Sequence, residues 1–328
     1  MKDRILSTFS IGMGCWAIGG PFYNGNESLG WGAVDDKESA RTLHAAYDSG
    51  IRIFDTAAAY GAGHSETILG EAIGAREDCI IVTKLGLEFD ESSKQLIGPV
   101  SDSAAVMPAI EESLRRLQRE TIDVLLLHLN DLPIDKAEHL FQEMNKACEQ
   151  GKVKGIGWST DYPESIKAMS DHKNFIAIEH CLNVFVDSPS VQDAVSDSGF
   201  IPLIRSPLAM GVLTGKYTID TRFDKNDNRS RNEAWRDYFI DAAVDPIHLS
   251  NLEAVRECLT VDGRSLTQGA LNWIMAKSPN SIPIPGARTV DQITESASAA
   301  EFGPLPEHTM KEIEILINRS PEGNPRGR

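Results

Sequence analysis

Residues 50–70 read Gly50-Ile51-Arg52-Ile53-Phe54-Asp55-Thr56-Ala57-Ala58-Ala59-Tyr60-Gly61-Ala62-Gly63-His64-Ser65-Glu66-Thr67-Ile68-Leu69-Gly70. Gly50 marks a helix stop, and the short apolar run behind it, 51–54, has the character of a buried strand. That strand ends in a carboxylate, Asp55, which is costly in such a place unless paired or used. A loop of small residues then carries Tyr60, and a new helix starts near Ser65. An acid at a strand end, a phenol five residues later and a loop that lets other groups approach together mark a candidate site. In a barrel of parallel strands the chemistry sits at the carboxyl ends.

Outward from this stretch the same alternation recurs. Strands are expected over 79–83, 122–127, 153–158, 175–178, 201–204 and 281–284, each followed by a segment of helical period. Upstream, residues 10–20 read as a buried strand entering a glycine-rich loop, and Asp35 with Glu38 open a helix that Gly50 ends. Counting from Ser10 gives eight strand–helix units, the number that closes a (β/α)8 TIM barrel with long loops at its C-terminal face. An open doubly wound sheet is disfavoured, because no Gly-x-Gly-x-x-Gly turn leads from the first strand into a helix. Residues 1–319 are expected to form one barrel domain, and 320–328 a flexible tail. Residues 218–246 are expected to form a long polar loop.

Bulk composition narrows the partners. The chain has 328 residues, 41% of them hydrophobic, and a formal net charge of −16. That charge argues against nucleic acid or an anionic membrane as partner, though a local basic site suffices for a phosphate-bearing cofactor. Five scattered cysteines without metal spacing fit a reduced, cytoplasmic setting. No run has signal-peptide or transmembrane character.

Reading the strand ends in order gives Asp55 and Tyr60 after strand two, Lys84 after strand three and His128 after strand four. An acid, a phenol, an amine and an imidazole thus meet at one rim. Reducing a carbonyl needs hydride at carbon and a proton for the developing alkoxide. A phenol donates such a proton, and a neighbouring ammonium eases its ionisation from a free pKa near ~10. Asp55 is suited to pair with Lys84, and His128 to polarise the carbonyl oxygen. Further on, Thr289 and Gln292 have capping-box spacing, so a helix N-terminus suited to an anion follows Gly286 and Arg288. The Arg288 fork matches a phosphate.

The 50–70 stretch, with its glycine, arginine, aspartate, tyrosine, glutamate and glycine in register, resembles the first signature of the aldo-keto reductases, and the likeness runs from about residue 10 to 300. The resemblance implies a reductase of aldehydes or ketones with Asp55, Tyr60, Lys84 and His128 as its tetrad. It further implies NADPH/NADP+ as cofactor, held by Ser159, Thr160, Glu179, Arg205, Ser206, Pro207, Leu208, Gly211, Lys216, Gly286, Arg288, Gln292 and Glu295. In that likeness Ser159 meets the nicotinamide carboxamide, 206–216 the pyrophosphate, Arg288 the 2′-phosphate and Glu295 the adenine. The chain departs from the family pattern at Thr160 (usually asparagine), Glu179 (glutamine), Arg205 (an aromatic) and Ser296 (asparagine). Because Glu179 and Arg205 depart together with opposite charges on neighbouring strand ends, they are expected to interact beneath the nicotinamide, directly or through one water.

Two rival functions use the same residues. A metal-dependent barrel hydrolase would draw on Asp55, His128 and His180, but no histidine pair has ligand spacing. A non-catalytic cofactor-binding subunit of the same fold would not need the full tetrad. Phe22, Tyr23, Trp31 and the loop 86–100 are expected at the pocket mouth, where aromatics serve a small carbonyl or sugar-like substrate equally well. The physiological substrate and the oligomeric state are not legible.

Overall fold

Short runs rich in Ile, Val and Leu, bounded by Gly and polar residues, become strands here, and the helical-period segments between them become the surrounding layer. In the computed structural model, which describes residues 10–100, 102–232 and 237–320 together with Ile5 and Glu322, eight parallel strands lie side by side in chain order. They are β1 (Met13–Gly14), β2 (Ile53–Asp55), β3 (Ile80–Leu85), β4 (Val124–Leu127), β5 (Ile156–Ser159), β6 (Phe175–Cys181), β7 (Ile201–Arg205) and β8 (Ile282–Pro283). The Gly12 and Gly14 amides donate to the Pro283 and Pro285 carbonyls, each at 3.0 Å, so the last strand returns to the first. A Cβ on Gly14 would lie 2.9 Å from the Ile284 carbonyl, so a side chain there would disturb the closure. The fold is a (β/α)8 barrel.

The helices are α1 (Asp36–Asp48), α2 (His64–Ile73), α3 (Val106–Leu117), α4 (Ile134–Glu149), α5 (Pro163–Ala168), α6 (Pro189–Ser198), α7 (Pro246–Leu259), α8 (Leu266–Lys277), α9 (Val290–Phe302) and α10 (Glu307–Leu316). Period-2 alternation sorts the strand side chains into two cores. Ile53, Ile80, Val82, Val124, Leu126, Ala177, Ile201, Leu203, Ile282 and Ile284 fill the barrel interior. Their neighbours Phe54, Ile81, Leu125, Trp158, Ile178 and Ile204 pack outward against the helices. Two residues beyond the inward apolar layer stand Asp55 after Ile53, Lys84 after Val82, His128 after Leu126, Glu179 after Ala177 and Arg205 after Leu203. The top of the interior is therefore polar by parity.

Several expected boundaries shift. Of residues 10–20 only Met13–Gly14 is strand, followed by a 3-10 turn at Trp16–Ile18. β6 runs on to Cys181, three residues past its expected end. The stretches expected as plain loops around 21–34 and 86–100 pair into a four-stranded sheet over the mouth, built from Tyr23–Asn24, Glu27–Ser28, Leu87–Asp90 and Gln95–Pro99. The long loop 218–246 holds a turn at Asn228–Ser230 and a hairpin, Phe239–Ile240 with Ala243–Val244. α10 had no counterpart in the sequence reading. Most of the expected tail, 320–328, lies outside the described residues. Ser320 and Glu322 are described, and the Glu322 carboxylate accepts from the Ser190 amide and hydroxyl.

One buried ion pair holds the candidate site's loop to its neighbour strand. Glu66, fully buried on α2 just after the Tyr60 loop, accepts from Arg116 Nε at 2.7 Å and from Thr83 Oγ1 at 2.6 Å. Thr83 precedes Lys84, so this contact fixes the loop against β3. Arg116→Ala leaves the Glu66 charge buried with one neutral donor, and is expected to cost about 3–5 kcal/mol. Denaturant unfolding checks it, and a loss below about 1 kcal/mol would show that the pair contributes no more than a surface bridge.

Candidate active site

Tyr60 sits on a loop whose backbone requires glycine. Gly61 has φ +62°, and a Cβ there would lie 1.8 Å from the Gly19 carbonyl. The loop is also tied down by Ser65 Oγ, which donates to the Cys15 carbonyl at 2.9 Å, and by Lys94 Nζ, which donates to the Gly61 carbonyl at 3.1 Å. So held, the Tyr60 ring stacks on Trp16, with centroids 5.8 Å apart, and meets His128 edge-on at 5.7 Å.

Lys84 lies beneath the phenol with its side chain wholly buried. Its Nζ donates to Asp55 Oδ1 at 2.7 Å and to the Thr56 carbonyl at 3.0 Å, and reaches the Tyr60 hydroxyl at 3.4 Å. A second carboxylate, Glu179 Oε2, stands 3.1 Å from the same nitrogen. Burial opposes the ammonium, but Asp55, Glu179 and Tyr60 outweigh it and hold Lys84 above its usual range. Burial and the Glu179 charge push the Asp55 carboxyl well up, with Lys84 opposing. Burial works against the Glu179 carboxylate too, yet Lys84 with Asp55 and Arg205 brings it below the ordinary value. The two carboxyls titrate as a pair, and a shared proton belongs to both.

Asp55, Tyr60, His128 and Glu179 border one cleft of about 1160 Å³. That exceeds the ~300–1,000 Å³ of a pocket for one drug-sized molecule, and leaves room for a dinucleotide beside a small substrate. Asp55, Tyr60, His128, Glu179, Arg205, Ser206, Pro207, Leu208, Gly211, Lys216, Gly286, Arg288, Gln292, Glu295 and Trp31 all line it, as do Phe22, Leu87, Leu96 and Pro99. Lys84 stands behind the lining, in contact with Asp55, Tyr60 and Glu179, which all face the cleft. Ser159 stands behind the wall, donating from Oγ to Glu179 Oε1 at 3.1 Å.

Three expectations are corrected. Tyr23 does not line the cleft; alternation in its short strand turns Phe22 and Asn24 inward instead. Thr160 is fully buried away from the cleft, with its hydroxyl donating to the Asn130 carbonyl at 2.6 Å. The direct Glu179–Arg205 pair does not form. Register pairs Glu179 with Leu203 and Arg205 with Cys181, so the two side chains stand on different levels. Arg205 pairs with Asp161 Oδ2, and Asp161 Oδ1 accepts from the Cys181 amide at 2.8 Å.

Trp16, Asn130, Asp161 and Arg229 belong to the site region and were missed. The first three continue the inward parity of Gly14, His128 and Ser159 by one more step, a signal that reading past the strand ends would have caught. Arg229, in the long loop, has no periodic signal. It pairs with Asp227 and lies over the Trp31 ring at 4.6 Å. Among the described residues no three His, Cys, Asp or Glu side chains are placed to hold a metal, and His180 instead sits with Nδ1 3.2 Å from the Cys181 carbonyl.

At the far end, Arg288 donates to the Trp31 carbonyl at 3.0 Å and the Ala33 carbonyl at 2.5 Å. Gln292 closes the α9 cap, its Oε1 accepting from the Arg288 amide at 2.9 Å while Thr289 Oγ1 accepts from the Gln292 amide. Partial desolvation and the neighbouring Arg229 and Arg288 push Lys216 below the usual lysine value. Arg229 carries its own partner, Asp227, so among the described residues the corner keeps a net positive charge from Lys216 and Arg288. The loop after β7 is unusual, with Ser206, Ala209, Met210 and Gly211 all at positive φ.

Comparison with known proteins agrees with this architecture. An aldo-keto reductase of Bacillus subtilis (strain 168), YhdN, is 30% identical over 98% of this chain and 93% of its own length. The glycerol dehydrogenase AKR11B4 from Gluconobacter oxydans is 29% identical, with a TM-score of 0.78 over 96% of this chain and 94% of that one. An aldo-keto reductase from Klebsiella pneumoniae, solved in complex with NADPH, shares the fold at 21% identity, with a TM-score of 0.66 over 97% and 94% of the two chains. With the Aldo/keto reductase family model also matching residues 10–318, the chain belongs to that family and is an NAD(P)H-dependent oxidoreductase of carbonyl compounds.

Proposed function

We propose that the cleft binds NADPH along its cationic end and a small aldehyde or ketone against Trp16 and Trp31, and that Tyr60 exchanges the proton. The observation that carries this reading is the Tyr60 hydroxyl at the cleft wall, 3.4 Å from a buried ammonium that is itself fixed by Asp55. When bound, the nicotinamide supplies the hydride. Tyr60 gives its proton to the carbonyl oxygen as charge develops there, and Lys84, kept cationic by its carboxylates, eases the passing negative charge on the phenol. Such a positioned acid contributes roughly 10²–10⁴-fold. His128, edge-on to the Tyr60 ring, is placed to polarise the same oxygen. Trp16 stacked on the phenol closes one side with an apolar plane, which limits water.

Cofactor roles rest on the cleft's own chemistry. Arg288, Lys216 and Arg229 are three cations whose mutual repulsion an anion would relieve, which suits the 2′-phosphate and pyrophosphate. The kinked loop from Ser206 through Gly211 brings backbone close to the pyrophosphate path. Gly286, Gln292 and Glu295 border the adenine end. Glu179 offers its carboxylate to the carboxamide, with Ser159 behind it. On the substrate side Leu87, Leu96, Pro99 and Leu129 join the two tryptophans, so we favour neutral carbonyl compounds with an apolar or ring-shaped face. Five free cysteines accord with a reduced, cytoplasmic setting.

Tyr60→Phe is expected to lower aldehyde reduction by roughly 10²-fold or more while NADPH still binds, read by absorbance and fluorescence titration. Near wild-type reduction would remove Tyr60 as the acid. Arg288→Ala should weaken both nicotinamide cofactors somewhat, since it also frees the Trp31–Ala33 loop. It should weaken NADPH over NADH by about tenfold or more, the worth of a charge-assisted contact. Equal losses would place the 2′-phosphate elsewhere.

A further inference from the structure

Trp31 stands in the cleft wall between two glycines, Gly30 and Gly32. Gly32 has φ +78°, and a Cβ built there would meet no atom nearer than 4.0 Å, so neither packing nor backbone preference stiffens the chain at that point. The ring has no hydrogen bond to fix it either, since its Nε1 is buried and without a partner among the described residues. Contact sets its place. The Trp16 ring meets it edge-on with centroids 5.3 Å apart, and the Arg229 guanidinium lies 4.6 Å from its centroid. The loop after β7 holds the backbone on the near side, through the Asn228 amide on the Gly30 carbonyl. The far side depends on Arg288, because Ala33 makes no other hydrogen bond among the described residues.

Arg288 grips the chain on both sides of Gly32, donating from Nη1 to the Trp31 carbonyl and from Nη2 to the Ala33 carbonyl. Its own backbone is steady, standing between β8 and α9 with its amide on Gln292 Oε1. A guanidinium carries five N–H donors. Two go to these carbonyls, and the other three have no partner among the described residues. One side chain can therefore keep both carbonyls and still donate to a phosphate. From Trp31 the contacts run on through Trp16, whose Nε1 donates to the Leu29 carbonyl at 3.1 Å and whose ring stacks on Tyr60. An unbroken chain of contacts thus joins the cationic corner to the wall beside the phenol.

We propose that Arg288 is a positioning residue for the substrate wall as well as a ligand for the 2′-phosphate: a phosphate held there steadies Trp31, and the carbonyl substrate binds better beside NADPH than beside NADH. This rests on the reading of the cleft as an NADPH and carbonyl site. A guanidinium already fixed by a phosphate gives up less freedom in keeping its two carbonyl contacts, and the Trp31 ring then offers the substrate a settled face. With NADH the same contacts exist but the side chain that makes them is looser.

The test uses the full-length protein and two readouts. Without cofactor, acrylamide quenching of Trp31 is read as the difference between each protein and its Trp31→Phe counterpart. Adenosine 2′,5′-bisphosphate is expected to protect Trp31 in wild type, and AMP, which lacks the 2′-phosphate, to leave it unprotected. In Arg288→Ala, Trp31 should be quenched more readily from the start and gain nothing from saturating bisphosphate. In turnover with benzaldehyde as probe, the wild-type KM is expected to be about fivefold or more lower with saturating NADPH than with saturating NADH, the low end of coupling between two sites. Arg288→Ala should raise the KM even with NADH and bring the two values together. Arg288→Lys keeps a cation for the phosphate but not the planar fork that spans two carbonyls, so it should keep part of the preference for NADPH in binding and lose the KM difference. Wild-type KM and Trp31 quenching that ignore the 2′-phosphate overturn the proposal, as does a folded Arg288→Ala with the wild-type KM at saturating NADH. If Arg288→Ala does not fold, an Arg288→Lys that keeps the whole KM difference does so. Equal losses of NADPH and NADH affinity in Arg288→Ala would instead remove Arg288 as the phosphate ligand, so the two failures are distinguishable.

Discussion

A lysine whose side chain is wholly out of water is the constraint on which the rest depends. An unpaired ammonium there would cost several kcal/mol, and the fold answers by bringing acceptors from three separate elements to one nitrogen. Asp55 comes from β2, the Tyr60 hydroxyl from the loop behind it, and Glu179 from across the barrel on β6. Asp55 and Glu179 arrive by the same rule. Alternate residues of a barrel strand point inward, and one step past the last apolar layer the inward residue is polar. In the proposed reaction the charge that makes Lys84 expensive to bury is also what eases ionisation of the phenol.

That rule explains what was legible. Apolar runs at regular spacing marked the barrel, and the strand ends marked Asp55, Tyr60, Lys84 and His128 as meeting at one rim. It also explains the miss at Glu179 and Arg205. β6 was expected to stop at residue 178, which made Glu179 a strand end level with Arg205. It continues to Cys181, so Glu179 lies a full inward step deeper, beside Lys84, and Arg205 finds Asp161 instead. Strand ends are set by pairing with neighbours and are poorly marked in local sequence. The small sheet over the mouth escaped for a related reason. Its pairing of Tyr23 with Gln95 is non-local, and its strands are short and half exposed.

The cationic end of the cleft shows a different limit. A cation such as Arg288 can be assigned a phosphate from its fork and its helix N-terminus, but not its other partners. Here the guanidinium also holds the Trp31 and Ala33 carbonyls, so one residue ties the first loop to the anion corner. Trp31 in turn carries Arg229 on its face, and the Asn228 amide donates to the Gly30 carbonyl at 2.9 Å. The loops on either side of the cleft are therefore joined to each other and to the cationic corner. None of these cross-loop contacts has a periodic or motif signature, and only the closed barrel brings them together.

The coupling of Lys84 to Tyr60 is tested most directly by a single-turnover experiment with NADPH deuterated at the nicotinamide C4 and a good aldehyde, comparing wild type with Lys84→Met. Wild type is expected to place deuterium on the carbinol carbon. Lys84→Met is expected to bind the cofactor and do the same roughly 10²-fold or more slowly, since the phenol has lost the charge that eases its ionisation. Hydride transfer at an undiminished rate in folded Lys84→Met would contradict it.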